Sequence, residues 1–264
     1  MPNNKEPFTR RFGWIPDVPD QRDHIYAATP MVAPHRLPPH LDLKPGCPPV
    51  YDQGDLGSCT ANAIAGAVEF DLKRQKLPDF VPSRLFIYYN ERVLEGTVSS
   101  DSGAMIRDGI KTVADQGECK EALWPYDITK FATPPPQACY QEAARHKAVL
   151  YRRISHDVNL MKGCLAEGYP FVFGVSVYNS FMTQQAHQSG DFPLPAPGEA
   201  GPGPGGRPEG HAMLAVGYDE PSRRFLIRNS WGTGFGKKGY GTIPYDYLAD
   251  PNLADDFWTI RIVQ

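Results

Sequence analysis

The sequence predicts an α+β fold of two lobes, and three features of the 264-residue chain predict it. Between residues 59 and 146, four segments repeat apolar side chains at the three- and four-residue spacing of helices. From residue 148 onward the chain turns to short runs of branched and aromatic residues bounded by turn formers, which is the pattern of strands. Helices first and strands second is the order of two packed halves with a cleft at their junction. The third feature marks that cleft: Tyr51 to Ala63 is a glycine-rich approach ending on a cysteine, Cys59, at the mouth of the longest helix.

Residues 1–38 are rich in proline and charge, with isolated aromatics at Phe8, Phe12, Trp14 and Tyr26, too sparse to build a core. They read as an N-terminal arm, either packed on the surface or lying across the cleft as a pro-segment that must move or be cut. Residues 39–264 are the folded domain, with the helical lobe mainly 51–147 and the strand-rich lobe mainly 148–264. Helices are predicted over Cys59 to Lys76, where Ala61, Ile64, Ala65, Val68 and Leu72 share a face, and over Ser83 to Leu94, opened by a capping serine. Two more follow at Met105 to Gln116 and, after Pro134 to Pro136 breaks the chain, Gln137 to His146. Strands are predicted at Ala148 to Ile154, Phe171 to Tyr178, Ala212 to Tyr218, Arg224 to Arg228, Gly239 to Pro244 and Trp258 to Val263. Pro193 to Gly210, almost all proline and glycine, is expected to be a mobile surface loop, either a tolerated insertion or a lid, since it ends directly before His211.

Composition narrows the partners. A net charge of -3 gives no basic bias toward nucleic acid, and no apolar run approaches the roughly 20 residues that cross a bilayer. The first residues lack the apolar core of a secretory signal, so the chain as written starts in the cytoplasm, and leaving the cell takes an unconventional route. The five cysteines are scattered without C-x-x-C pairs, which suggests neither a metal site nor a dense disulfide framework. No cofactor is implied. Reduced thiols are the simplest state, with one bridge among Cys47, Cys119, Cys139 and Cys164 left open.

A thiol in the first turn of a helix sits at the positive end of the dipole, which favours thiolate and hence a nucleophile. Ser58 can accept a bond from a first-turn amide. Acyl transfer also needs a proton carrier, a group that orients it, and donors for the developing oxyanion. His211 begins a hydrophobic strand where its ring can face the cleft. At the end of the next strand, Arg228-Asn229-Ser230-Trp231-Gly232 supplies an amide that can accept the imidazole N–H and an indole that can shield that bond.

These segments together resemble the papain-like cysteine peptidases, and closely their bacterial, xylellain-like branch, over residue 38 to the end. The resemblance is carried by Gln53-Gly54, Gly57-Ser58-Cys59, His211-Ala212 and Asn229-Ser230-Trp231-Gly232, with Gly236, Gly239 and Tyr240 beyond. It implies a two-lobed papain-like fold, with a helical lobe, a β-barrel-like lobe and the active site in the cleft between them. It implies Cys59 as nucleophile, His211 as acid/base, Asn229 as the orienting amide, and Gln53 with the Cys59 amide as an oxyanion hole. Peptides or proteins are the implied substrates; the arm is shorter than the family's pro-region and lacks its helical motif, so the zymogen-like latency expected from its extended, aromatic-bearing composition would come by a different docking. Leu56 and Thr60 depart from the family pattern. So does the segment Asp101-Ser102-Gly103-Ala104, which takes the place of a Gly-Cys-x-Gly-Gly run and offers Gly103 to substrate backbone. Ala212 and Met213 are candidates for a side-chain pocket, and Trp231 for the substrate surface. Other readings are a thiol acyltransferase or deamidase using the same trio, or an idle peptide-binding module on this scaffold.

Overall fold

A computed structural model describes residues 10–27 and 37–263; Phe8, with the rest of 1–9 and residues 28–36, lies outside the described residues. After a short strand β1 (His40–Asp42), α1 (Cys59–Arg74) runs through the middle of the molecule. Every residue from Cys59 to Leu72 is buried, so α1 is enclosed on all sides and not on the single face its spacing predicts. It stops two residues before Lys76, with Lys73 and Arg74 against the negative end of its dipole.

The helical lobe continues with α2 (Arg84–Glu95), α3 (Ile106–Asp115) and α4 (Gln137–Ala143). Ser83 caps α2 as expected, its hydroxyl accepting the Phe86 N–H at 3.2 Å. Ser58 does not cap α1: its hydroxyl pairs with the Tyr126 hydroxyl and accepts from Asn62 Nδ2 instead. The side chain is drawn into a polar cluster behind the cysteine, which competes with the local bond to the helix amides.

The strand-rich lobe consists of β2 (Ala148–Arg153), α5 (Val158–Ala166), β3 (Phe171–Val177), α6 (Gln184–Ser189), β4 (Glu209–Asp219), β5 (Arg224–Arg228), β6 (Tyr240–Pro244), α7 (Tyr245–Ala249) and β7 (Ala254–Val263). The strands pair antiparallel in the order β2-β7-β3-β4-β5-β6, with β1 added beside β4 through His40 opposite Asp219. β2 and β6 end the sheet without pairing to each other, each bridged to a neighbouring segment through Arg153 with Ile25 and Thr242 with Asp191, so the sheet is open where the sequence suggested a barrel-like lobe. Alternation along β4 divides the core: Ala212, Leu214 and Val216 join the α1 side, while Met213 and Ala215 join a second cluster with Phe171, Phe173 and Phe225.

The proline- and glycine-rich loop is fastened. Glu199 accepts the Ala196 N–H at 2.8 Å and also the Ser180 N–H, and the Asn179 N–H donates to Ala200 at 3.0 Å. From Pro193 to Pro208 its bonds go to residues 179–180 and to itself, and among the described residues none reaches Cys59, His211 or Asn229. Its last residues, Glu209 and Gly210, already belong to β4. All five cysteines are free thiols.

Candidate active site

Cys59, the first residue of α1, is fully buried at the junction of helix and sheet. The Ala212 amide donates to its sulfur, so the thiol lies beside the residue that follows His211 on β4. His211 Nε2 donates to Asn229 Oδ1 at 2.8 Å, and the same oxygen accepts the Ser230 N–H at 2.8 Å. That second bond fixes which end of the Asn229 amide is oxygen, and hence that Nε2 carries the proton. Nδ1 is then the basic nitrogen of the neutral ring, and it has no hydrogen-bond partner among the described residues. Trp231 lies against the imidazole with ring centroids 5.0 Å apart.

Gln53 is held from both sides. Its Oε1 accepts the Ser230 hydroxyl at 2.6 Å, which turns Nε2 toward the cleft, and its backbone N–H donates to the Ser230 carbonyl at 2.9 Å. The loop beneath is carried by Arg84, whose forked pair with Glu121 (2.8 Å twice) leaves Nη1 to donate to the Asp52 carbonyl. Tyr126 adds a bond to the Gln53 carbonyl at 2.9 Å. Sequence reasoning quoted Ser230, placed Arg84 in a helix and Tyr126 in an aromatic-rich loop, and gave none of the three a role at the site.

The Papain family cysteine protease profile matches residues 37–253. The chain belongs to this family. It is similar to an uncharacterised peptidase C1-like protein of Acanthamoeba polyphaga mimivirus, 41% identical over 97% of this chain and 88% of that one. The crystal structure of xylellain, a cysteine protease from Xylella fastidiosa, superposes with a TM-score of 0.88 at 45% identity, covering 98% of this chain and 99% of that one. Cathepsin K of Gallus gallus is 30% identical over 73% of this chain and 54% of its own length. The protein is a cysteine peptidase of the two-lobed papain-like fold.

In this papain-family protease the cleft is filled by the arm. The amides of Gly13 and Trp14 both donate to the Gly210 carbonyl at 2.9 Å. Trp14 pairs parallel with Ala104, whose N–H donates to the Gly13 carbonyl at 2.7 Å. The backbone pairing therefore runs through Ala104, while the Gly103 amide donates to the Tyr88 hydroxyl at 3.2 Å. What Gly103 contributes is room: a Cβ there would stand 2.2 Å from the Gly13 carbonyl oxygen. Gln53 Nε2 donates to the Arg11 carbonyl at 3.1 Å, and the Phe12 ring meets His211 edge-on.

The Trp14 indole lies over Gly174, where a Cβ would fall 2.0 Å from the ring, and its Nε1 donates to Asp256 at 3.0 Å. Ala212 lies in the same buried cluster as Trp14, whereas Met213 belongs to the cluster on the other face of the sheet. Gly174→Ala is expected to weaken arm docking by about 1–3 kcal/mol through overpacking. The check is a rise in the rate of Cys59 alkylation in the full chain, which does not depend on a substrate side chain entering the slot, with an unchanged rate counting against this seating of Trp14.

Burial pushes the Cys59 thiol up to about 12, although the amides of Ala212, Gly13 and Thr60 pull it the other way. Burial likewise holds His211 down, to about 4, with the Asn229 bond opposing. Under the arm the pair is thus a neutral thiol and a neutral imidazole, despite the helix dipole at Cys59.

Proposed function

We propose that Cys59 attacks the peptide carbonyl, with His211 as its acid/base partner, Asn229 holding the imidazole, and Gln53 Nε2 together with the Cys59 amide receiving the oxyanion. The observation that carries this reading is the Asn229 oxygen shared between Ser230 N–H and His211 Nε2, which leaves Nδ1 as the ring's free base, while the amide of the next residue, Ala212, lies at the Cys59 sulfur. With the cleft open, the proton passes from sulfur to Nδ1. The resulting thiolate forms the acyl-enzyme, the imidazolium protonates the departing amine, and the neutral ring then activates water.

The arm keeps the enzyme latent. It places a carbonyl on the proposed oxyanion donor, an amide on the sulfur and a ring on the imidazole, and each must leave before a substrate can take its place. The tryptophan-filled slot over Gly174 is then the pocket for a large substrate side chain.

Two substitutions test the oxyanion donor in the full chain opened by Trp14→Ala. Gln53→Ala is expected to lower kcat by roughly 10²- to 10³-fold with little change in KM. Ser230→Ala removes only the bond that aims Gln53 and is expected to cost roughly 10-fold, about 1.4 kcal/mol. Equal kcat for Gln53→Ala and its parent would remove Gln53 from the mechanism. Transfer of the acyl group to an added amine in preference to water would replace hydrolysis by the transferase reading.

A further inference from the structure

Arg107, in the first turn of α3, spends every hydrogen bond of its side chain on the arm. Nη2 donates to Asp23 at 2.6 Å and Nη1 donates to the Val18 carbonyl, while the buried Nε has no partner among the described residues. Its backbone N–H donates to Asp17 Oδ1 at 3.1 Å. With the arm docked the Arg107 side chain is only 6% exposed; without it, this guanidinium is left with the Trp258 ring and, among the described residues, no paired carboxylate. Arg153 on β2 also donates to Asp23, at 3.2 Å, but keeps Asp255 and Asp256 at 3.3 and 3.0 Å when the arm is gone. Lys111, one turn further along α3, lines a cavity of about 260 Å³ with Asp20, Arg22, Asp23, His24 and Tyr151.

The arm segment over this face carries Asp17, Asp20 and Asp23 at three-residue intervals, Asp20 itself being paired with Arg22. The same segment continues as a parallel bridge between Ile25 and Arg153. From Phe12 at the imidazole to Asp23 at Arg107, one continuous polypeptide occupies both the cleft and this outer face. A protein substrate that followed the arm's course would reach it as well.

We propose that Arg107, Lys111 and Arg153 form a docking site for an acidic stretch of a protein substrate, occupied here in cis by Asp17 to Asp23, and that an acidic stretch bound there in trans lifts the arm. The proposal rests on the latency reading above. It makes the arm's acidic segment a removable counter-ion, so that the substrate which replaces it also opens the cleft.

The test adds a synthetic peptide of residues 16–26 to the full chain and follows carbamidomethylation of Cys59 by mass spectrometry. This peptide covers the outer face and lacks Phe12 and Trp14, so it displaces the clasp without blocking the cleft. The expected result is an increase in rate on the order of 5-fold or more. The full chain with Arg107→Met is expected to start from a raised rate and gain nothing further. An equal response to the peptide carrying Asp23→Asn overturns the proposal, as does no response to either peptide while Trp14→Ala still exposes Cys59; latency then stands alone. Failure of Trp14→Ala to expose Cys59 removes the latency reading and this proposal with it.

Discussion

Cys59→Ala is expected to abolish peptide cleavage, with a loss in kcat on the order of 10⁶-fold, because the members of a nucleophile, base and orienter set act as a unit. The measurement belongs in the full chain carrying Trp14→Ala, so that the parent activity is large enough to lose. The substitution removes one sulfur from a fully buried position and is expected to change stability by only about 1 kcal/mol, within the ordinary range for a point mutant. A folded but inactive protein therefore reports on chemistry. Cys59→Ser is expected to be nearly as inactive, since a hydroxyl does not ionise against a neighbouring imidazole as a thiol does. Retention of cleavage by Cys59→Ala would place the nucleophile elsewhere and dissolve the roles proposed for His211, Asn229 and Gln53 together.

The gathering of those four residues at one place was legible because each is required by type for the proposed chemistry and sits in a short segment whose local form is dictated by sequence. Glycines before Cys59 bend the chain into the start of a helix, and His211 and Asn229 lie at the ends of strongly apolar strands. The predicted strands stand within a few residues of β2 to β7 for the same reason: period-two patterning fixes a buried face. α5, α6 and α7 escaped notice because five to nine residues are too few to show a helical period. α5 is also apolar on most sides, although Asp157 capping the Asn159 and Leu160 amides was visible in retrospect.

The supporting bonds were hidden for a different reason. Ser230 and Gln53 are 177 positions apart, and Trp14 and Asp256 are 242 apart. Nothing in either local sequence states such a pairing. The same holds for the choice of Ala104 over Gly103, which depends on how the arm is threaded past the loop. The arm could be recognised as an element without a core of its own, but its seat on Gly174, Asp256 and Arg107 is a property of the assembled surface.

That seat sets the second large effect: Trp14→Ala in the full chain is expected to raise the rate of Cys59 alkylation at neutral pH by roughly 10²- to 10³-fold. Truncating a buried tryptophan typically removes about 3–5 kcal/mol, and here the loss falls on the docked state. Burial raises the docked thiol and keeps it protonated near neutrality, so reaction proceeds through the open population and the docking equilibrium sets the rate. The thiol and imidazole contribute little to the pH dependence near neutrality. Both are neutral when docked and oppositely charged when open, so the two states hold the same number of protons.

The carboxyls of Asp17 and Asp256 do contribute. Burial raises both, and the charge of Asp17 raises Asp256 further, to about 7 from an ordinary 3.8. A carboxyl raised in the docked state favours docking in full below about pH 4, and that advantage is lost as the pH rises through 7. Full-chain alkylation is therefore expected to climb between pH 4 and 7 more steeply than in the Trp14→Ala chain, where the arm is already displaced. Parallel pH profiles for the two proteins would show that this carboxyl pair plays no part in holding the arm, while a Trp14→Ala rate equal to the parent at every pH would show that the arm does not guard the thiol.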